Sequence, residues 1–420
     1  MATPDPNSHK SHGSVLVEQA ANLTAACVQW SRSDFEDPAR QVAVRDEIAA
    51  GARRILLETA TPTELMWSQL VNLYALISLR TLSQHGVLQA LSSEKGISAE
   101  ELAEATGMEV SLIRRLLRPL TATQFLSQGV ESGLYHHTKA SQAFCVAPEL
   151  HVMLDVLSEH TLLSLGCLPE YLAERKSASE PQDQAYNPYT WSRGQDGTSV
   201  WQVMAENGEL ARFQAGLNPG NKEVFKPTGF FDFGALAEGD DARDRAILVD
   251  VGGGIGAILT SIIEETPALQ AVASRCVLQD IACPIDQARS GGKLPVGVQT
   301  MVHNFFQEQP VKGPKAYYLR RILHDYSDAK CVEILSYLTK SAAADTKILI
   351  SEVVDPLTNN ESDIPMVCTD VIMLNIGGKE RSEEQFGEIL KAAGLELVKV
   401  WRGPSDCLIE ARLAVKNNVA

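Results

Sequence analysis

No stretch of this sequence reaches the roughly 18 consecutive apolar residues of a membrane-spanning helix, so no membrane partner is expected. Positive charge is also short. Lys and Arg number 37 against 53 Asp and Glu, a formal net charge of −16. Such a chain repels phosphate backbones, so no nucleic-acid partner is expected either. The eight cysteines (Cys27, Cys145, Cys167, Cys276, Cys283, Cys331, Cys368, Cys407) never form C-x-x-C, and none lies near paired histidines. A structural zinc site is therefore not expected, and the thiols read as reduced residues of a cytoplasmic protein. The polar residues 1–13 have neither the basic start nor the apolar core of a secretory signal. They read as part of a disordered tail over 1–15.

What is present is an ordinary globular balance, 45% hydrophobic and 21% charged over 420 residues, long enough for at least two domains. The first half reads helical. Apolar residues recur at helical spacing over 41–59 and 64–91. Ser98 and Glu101 form a capping-box pair, starting a helix that ends near Gly107. A second helix runs through Leu112, Ile113, Leu116, Leu117 and Leu120, followed by a short hairpin near 125–138. Helix, turn, helix and hairpin make a winged-helix pattern. Arg114, Arg115 and Arg118 on its second helix are a local basic cluster in an acidic chain. The segment 200–233 reads as helical and aromatic, its rings serving either to pack a core or to wall a pocket through Trp201 and Phe213.

From residue 245 the pattern changes. Strand-like runs recur at 246–251, 276–279, 298–302, 316–319, 347–353, 395–401 and 407–413, with helices between most of them. Alternation of this kind means a doubly wound α/β sheet. Only residues 402–406 separate the last two strands, too few for a crossover, so the final strand should be antiparallel.

The chemistry gathers at the strand ends. Asp250 precedes the glycines Gly252, Gly253, Gly254 and Gly256 between a buried strand and a helix. Glycines there let a ligand approach the backbone at a helix N-terminus. A carboxylate facing that loop suits a cationic group better than a pyrophosphate, and Asp280 ends the next strand, where an acid binds ribose hydroxyls. An adenosine carrying an amino acid, S-adenosylmethionine, fits both. His324 and Asp325 follow the strand 316–319, at the edge where α/β active sites lie. An imidazole there is a suitable general base for a hydroxyl. Glu352 ends the following strand and Glu380 stands in a loop before a helix, and the two could orient that imidazole. No metal-ligand cluster is evident, so no metal is expected.

Three stretches, LVDVGGGIG, YYLRRILHDYSDAKC and DVIMLNIGGKERSEEQF, in this order and spacing resemble the class I S-adenosylmethionine-dependent O-methyltransferases, plant caffeate-type and fungal polyketide-type. The resemblance runs from about residue 65 to 413. It implies a Rossmann-like catalytic sheet over 241–420 with an antiparallel last strand. It further implies a winged-helix dimerisation domain over 16–165 and a helical bridging segment over 166–240 that lines the substrate pocket. By position it assigns His324 as base, Glu352 and Glu380 as flanking acids, and Asp325 as the acid after the base. Gly252, Gly254, Asp280, Phe305 and Arg320 match cofactor positions. Asn304 stands where the family commonly has Asp against adenine, and an amide can still hydrogen-bond the exocyclic amine. Met373 and His160 are candidates for the pocket lining. The expected product is a methylated small aromatic or polyketide-type metabolite, made by a homodimer. Leporin-type pericyclases share this fold and keep the cofactor without transferring its methyl. They are the alternative, beside the remoter readings of a winged-helix regulator and a nicotinamide dehydrogenase.

Overall fold

The computed structural model describes residues 12–32, 38–91, 95–176, 178–210, 227–238, 244–355, 364–403 and 406–415. It divides into two compact units, Met1–His151 and Val152–Ala420. Among the described residues no helix is long and apolar enough to cross a membrane.

The first unit is mostly helical. Helix α1 (His12–Arg32) packs on α2 (Pro38–Thr59), and α3 (Pro62–Gln84) packs on the helix Val110–Ala122. The tail expected over 1–15 is thus already helical from His12, and residues 1–11 lie outside the described set. A capping box starts α3, with Thr61 Oγ1 accepting from the Glu64 amide and Glu64 Oε2 accepting from the Thr61 amide. The single helix read over 64–91 breaks because Gly86 sits in the left-handed region at φ 74°, which leaves a short helix Val87–Ala90 beyond it. The capping box at Ser98 is present (Ser98 amide to Glu101 Oε2, 2.8 Å), and the helix Ala99–Thr106 ends at Gly107. Strands β1 (Leu126–Gln128) and β2 (Tyr135–His137) pair antiparallel, and Ile97 bridges to Tyr135. This is the winged-helix arrangement. Arg114 is paired with Glu100 on the neighbouring helix.

The second unit is built on a seven-stranded sheet. Its strands are β3 (Leu248–Val251), β4 (Cys276–Asp280), β5 (Gln299–Val302), β6 (Ala316–Arg320), β7 (Lys347–Glu352), β10 (Leu395–Arg402) and β11 (Cys407–Leu413). The spatial order is β10-β11-β7-β6-β3-β4-β5. Strands β3 to β7 run parallel, while β11 is antiparallel to both β7 and β10. Core clusters cover both faces, which is why β3, β4, β6 and β7 read as continuous apolar runs. The chain reverses its direction across the sheet between β3 and β6. Ligands of doubly wound sheets bind at that crevice. A separate two-stranded parallel pair joins β8 (Val354–Asp355), which follows β7 in the chain, to β9 (Arg381–Ser382).

The division falls at residue 151, earlier than the boundary expected at 165. Residues 152–165 are anchored inside the second unit. Asn375 Nδ2 donates to the His160 carbonyl (2.6 Å) and Arg193 Nη2 donates to the Glu159 carbonyl (2.8 Å). The bridging segment belongs to this unit too. Tyr189, Val200, Val203 and Met204 share a core cluster with Met373 and Ile376. Of the helix expected over 200–233, Val200–Glu206 is helical, Gly208 turns left-handed at φ 71°, Leu210 is helical again, 211–226 lie outside the described residues, and 227–233 are not helical. Phe213 lies outside the described residues.

Candidate active site

Asp250 is buried near the end of β3, and the glycine loop wraps around the strand end. A Cβ on Gly252 (φ 72°) would meet Ile322 Cδ1 at 2.7 Å, and one on Gly253 would meet Asp250 Oδ2 at 2.2 Å, so no side chain fits at either position. The Gly254 amide donates to Asp280 Oδ2 (2.8 Å) and the Ile281 amide to Asp280 Oδ1 (2.7 Å). The acid at the end of β4 is thereby fixed against the loop. Burial keeps the Asp280 pKa above its ordinary value although both amides pull it down. Asp250 Oδ2 is buried without a hydrogen-bond partner. Burial, then the charge of Asp280, raise the Asp250 pKa to about 7 against the opposing charge of Arg320. A buried, unmatched carboxyl beside a glycine loop is a place for a cation. Phe305 borders the same loop, with Cε1 3.4 Å from the position of a Gly252 Cβ, and its ring packs on Tyr326. Asn304 is exposed and its Oδ1 accepts from the Phe306 amide (3.0 Å).

The strand β6 ends in Arg320, followed by Arg321, and the buried Asp406 grips both. Arg320 Nε lies 3.0 Å from Asp406 Oδ2 and Arg321 Nη2 lies 2.5 Å from Oδ1. Arg321 takes a left-handed φ of 54°, which turns the chain into the short helical turn Leu323–Asp325. That turn carries His324. Its Nδ1 is 2.9 Å from Glu380 Oε1 and 3.9 Å from Glu352 Oε2, and its Nε2 is 3.5 Å from Asp325 Oδ1. Glu352, at the end of β7, is locked by the Ile322 and Leu323 amides, which donate to Oε1 at 3.0 and 2.8 Å. Glu380 is set by its own amide, which donates to Asp370 Oδ1 (2.9 Å). Just before it, a Cβ on Gly378 would fall 2.1 Å from the His324 carbonyl oxygen, so the two loops touch backbone to backbone.

Burial pulls the His324 pKa down. The charges of Glu352 and Asp325, with the hydrogen bond and charge of Glu380, outweigh it and place the value at about 9. Burial raises the Asp325 pKa to about 7, with His324 opposing and Glu352 and Glu380 reinforcing. Burial raises Glu352 as well, against the charge of His324.

The structure therefore brings His324, Asp325, Glu352 and Glu380 into one cluster, and Asp250, Gly252, Gly254, Asp280 and Phe305 into another at the adjoining strand ends. Trp201 donates from Nε1 to the hydroxyl of Tyr326, the residue after Asp325 (3.1 Å). Met373 lies on the helix Ile364–Ile376, and its carbonyl accepts from the Gly378 amide (2.9 Å). His160 sits in a π-helical turn, Ser158–Leu162, stacked on Tyr189 with Nδ1 3.9 Å from Glu209 Oε2. Sequence spacing offered no metal-ligand cluster, and the fold nonetheless brings three potential ligand groups together. Ligand atoms of His324, Glu352 and Glu380 lie within 4.8 Å of one another, close enough to hold an ion. Folding assembles them from three separate segments, so no sequence spacing announces them. Asp406, Arg321, Arg381 and Glu209 were missed in the sequence. Only the buried acid Asp406, just before β11, carried a faint signal, being an acid beside an apolar strand.

Comparison with known proteins identifies the family. An O-methyltransferase domain matches residues 232–396, and an O-methyltransferase dimerisation domain matches 67–147. Methyltransferase cfoD of Aspergillus candidus is 31% identical over 385 residues, 89% of this chain and 91% of that protein. The crystal structure of OxaC with SAH and oxaline superposes with a TM-score of 0.81 at 23% identity, covering 96% of this chain and 100% of that one, a likeness of fold. A pericyclic reaction enzyme superposes with a TM-score of 0.77 at 26% identity, covering 94% and 100%. On the two domain matches and the near full-length identity to cfoD, the chain belongs to the O-methyltransferase family, whose methyl donor is S-adenosylmethionine.

Proposed function

We propose that the chain methylates a hydroxyl of a small aromatic or polyketide-type secondary metabolite, as a cytoplasmic homodimer, with His324 as general base. The observation that carries this reading is the 2.9 Å hydrogen bond between buried His324 Nδ1 and Glu380 Oε1. A carboxylate only accepts, so in the neutral imidazole the bond keeps the proton on Nδ1 and leaves Nε2 to take one from the acceptor hydroxyl. A phenol of pKa about 10 is mostly protonated near neutral pH, and removing its proton as attack begins lowers the barrier. Glu352 and Glu380 then stabilise the imidazolium, and Asp325 lies against Nε2 where the hydroxyl arrives.

When bound, S-adenosylmethionine supplies an electrophilic methyl on a sulfonium. The unmatched Oδ2 of Asp250 supports a place for its ammonium, Asp280 for its ribose, and Phe305 with Asn304 for its adenine, around the Gly252–Gly254 loop with Arg320 beside it. His160, Trp201 and Met373 would face the acceptor. The test is His324→Gln. Methyl transfer should fall by about 10²- to 10⁴-fold while cofactor affinity stays unchanged. An unaltered rate would remove His324 from the base role.

A second reading has support in the superposition on a pericyclic reaction enzyme. With a pKa of about 9, His324 is an imidazolium near neutral pH and can donate to a substrate carbonyl. The product would then be isomeric with the substrate or one water lighter, with the cofactor required and not consumed.

A further inference from the structure

Arg381 heads β9 immediately after Glu380, and its side chain is fully buried. Its Nη1 donates to the Leu323 carbonyl (2.9 Å) and the Lys379 carbonyl (3.3 Å). Its Nη2 donates to the Tyr326 carbonyl (2.6 Å) and also lies 2.8 Å from Asp328 Oδ1, which accepts from Nε (2.8 Å). Every N–H of the guanidinium then has an acceptor, so none is left for a ligand. The carbonyls it holds are those of Leu323 and Tyr326, which flank His324 and Asp325, and of Lys379, which precedes Glu380. The Lys379 amide in turn donates to the His324 carbonyl (2.9 Å). One planar fork thus spans both sides of the His324–Glu380 contact. Lysine, a point donor on a flexible stem, does not reproduce this span. Cys331 braces the same turn, with Sγ 3.1 Å from the Leu323 carbonyl and 3.5 Å from that of Tyr326. Burial lifts that thiol to about 12, so it stays a donor.

We propose that Arg381 is a positioning residue: its guanidinium ties the turn that carries His324 and Asp325 to the strand that follows Glu380, and so holds the imidazole against its carboxylate. The proposal rests on the reading of His324 as the reacting base, and its test does not need methyl transfer. Besides Arg381's own anchor Asp328, the charged groups facing His324 are Asp325 on its own turn, Glu352 from β7, Glu380 from the loop before β9, and Arg321 from the end of β6. The two possible roles of Arg381 predict opposite signs. As a mere positive charge, its removal would raise the His324 pKa. As a clamp, its removal loosens the contact with Glu380 and lowers it.

The experiment is NMR titration of the full-length protein with ring-labelled histidine, the His324 signal identified by its loss in His324→Gln. In the unsubstituted chain the midpoint should lie at about 9. In Arg381→Met it should drop below about 8, toward the ordinary histidine value. The Asp325 and Tyr326 amides, which donate to the Ile322 and Leu323 carbonyls, should exchange faster. A folded Arg381→Met whose midpoint is unchanged or higher overturns the proposal. Where Arg381→Met does not fold, Arg381→Lys decides. It keeps the charge, so an intermediate midpoint supports the clamp, and a midpoint equal to that of the unsubstituted chain overturns it.

Discussion

The protonation of His324 sets the working pH of the site. Its carboxylate neighbours hold the imidazole pKa at about 9, so the free enzyme carries the base in its protonated form near neutrality. A base works only when deprotonated, so kcat/KM should rise with pH, about tenfold per unit, and level off near 9. A profile already flat from pH 6.5 would mean that these charges do not act on the imidazole. The same neighbours make a possible metal site, yet Nδ1 is already bonded to Glu380 and Glu352 Oε1 to two amides. Methyl transfer should therefore survive EDTA unchanged, and a loss restored by a divalent ion would reassign the trio as ligands. Individual residues of this cluster were legible in the sequence because each stands at a strand end or beside a helix start. Their mutual geometry was not, because Glu352 and Glu380 are brought to His324 only by the sheet order and by β9.

Elements decide how tightly those residues are held. The approach of Gly378 to the His324 carbonyl leaves no room for a Cβ, so Gly378→Ala should push the two loops apart and lower kcat while leaving cofactor affinity intact. Gly252→Ala should do the reverse and weaken cofactor binding first, by its left-handed backbone and its contact with Ile322. Titration of S-adenosylhomocysteine beside single-turnover rates separates the two. Asp406, just ahead of β11, is the hinge of the arginine pair. Removing it in Asp406→Asn leaves two partly buried guanidiniums without their carboxylate, a loss of about 3 to 5 kcal/mol by urea unfolding. The strands themselves were readable as apolar runs, and the antiparallel closing strand followed from the short gap before it. The break at Gly86 and the unit boundary at residue 151 were not readable. A helical period continues through the first, and long-range hydrogen bonds such as Asn375 to His160 set the second.

At the scale of the whole molecule the buried charges make stability depend on pH. The folded His324 pKa of about 9 exceeds its ordinary 6.5, and that of Asp325, at about 7, exceeds 3.8. Groups with raised pKa values stabilise the fold fully below their ordinary values, and that contribution is lost as pH rises through the folded ones. The Tm of the cofactor-free protein should therefore fall between pH 6.5 and 9, and His324→Gln should flatten the fall. The matched dimerisation domain predicts a particle of twice the chain mass in light scattering. The most direct test of the central claim is incubation with labelled-methyl S-adenosylmethionine and candidate phenolic or pyridone metabolites, following S-adenosylhomocysteine and product mass together. The account predicts a product heavier by one labelled methyl with stoichiometric S-adenosylhomocysteine. A product isomeric with the substrate, or one water lighter, with the cofactor required but unconsumed, would contradict it.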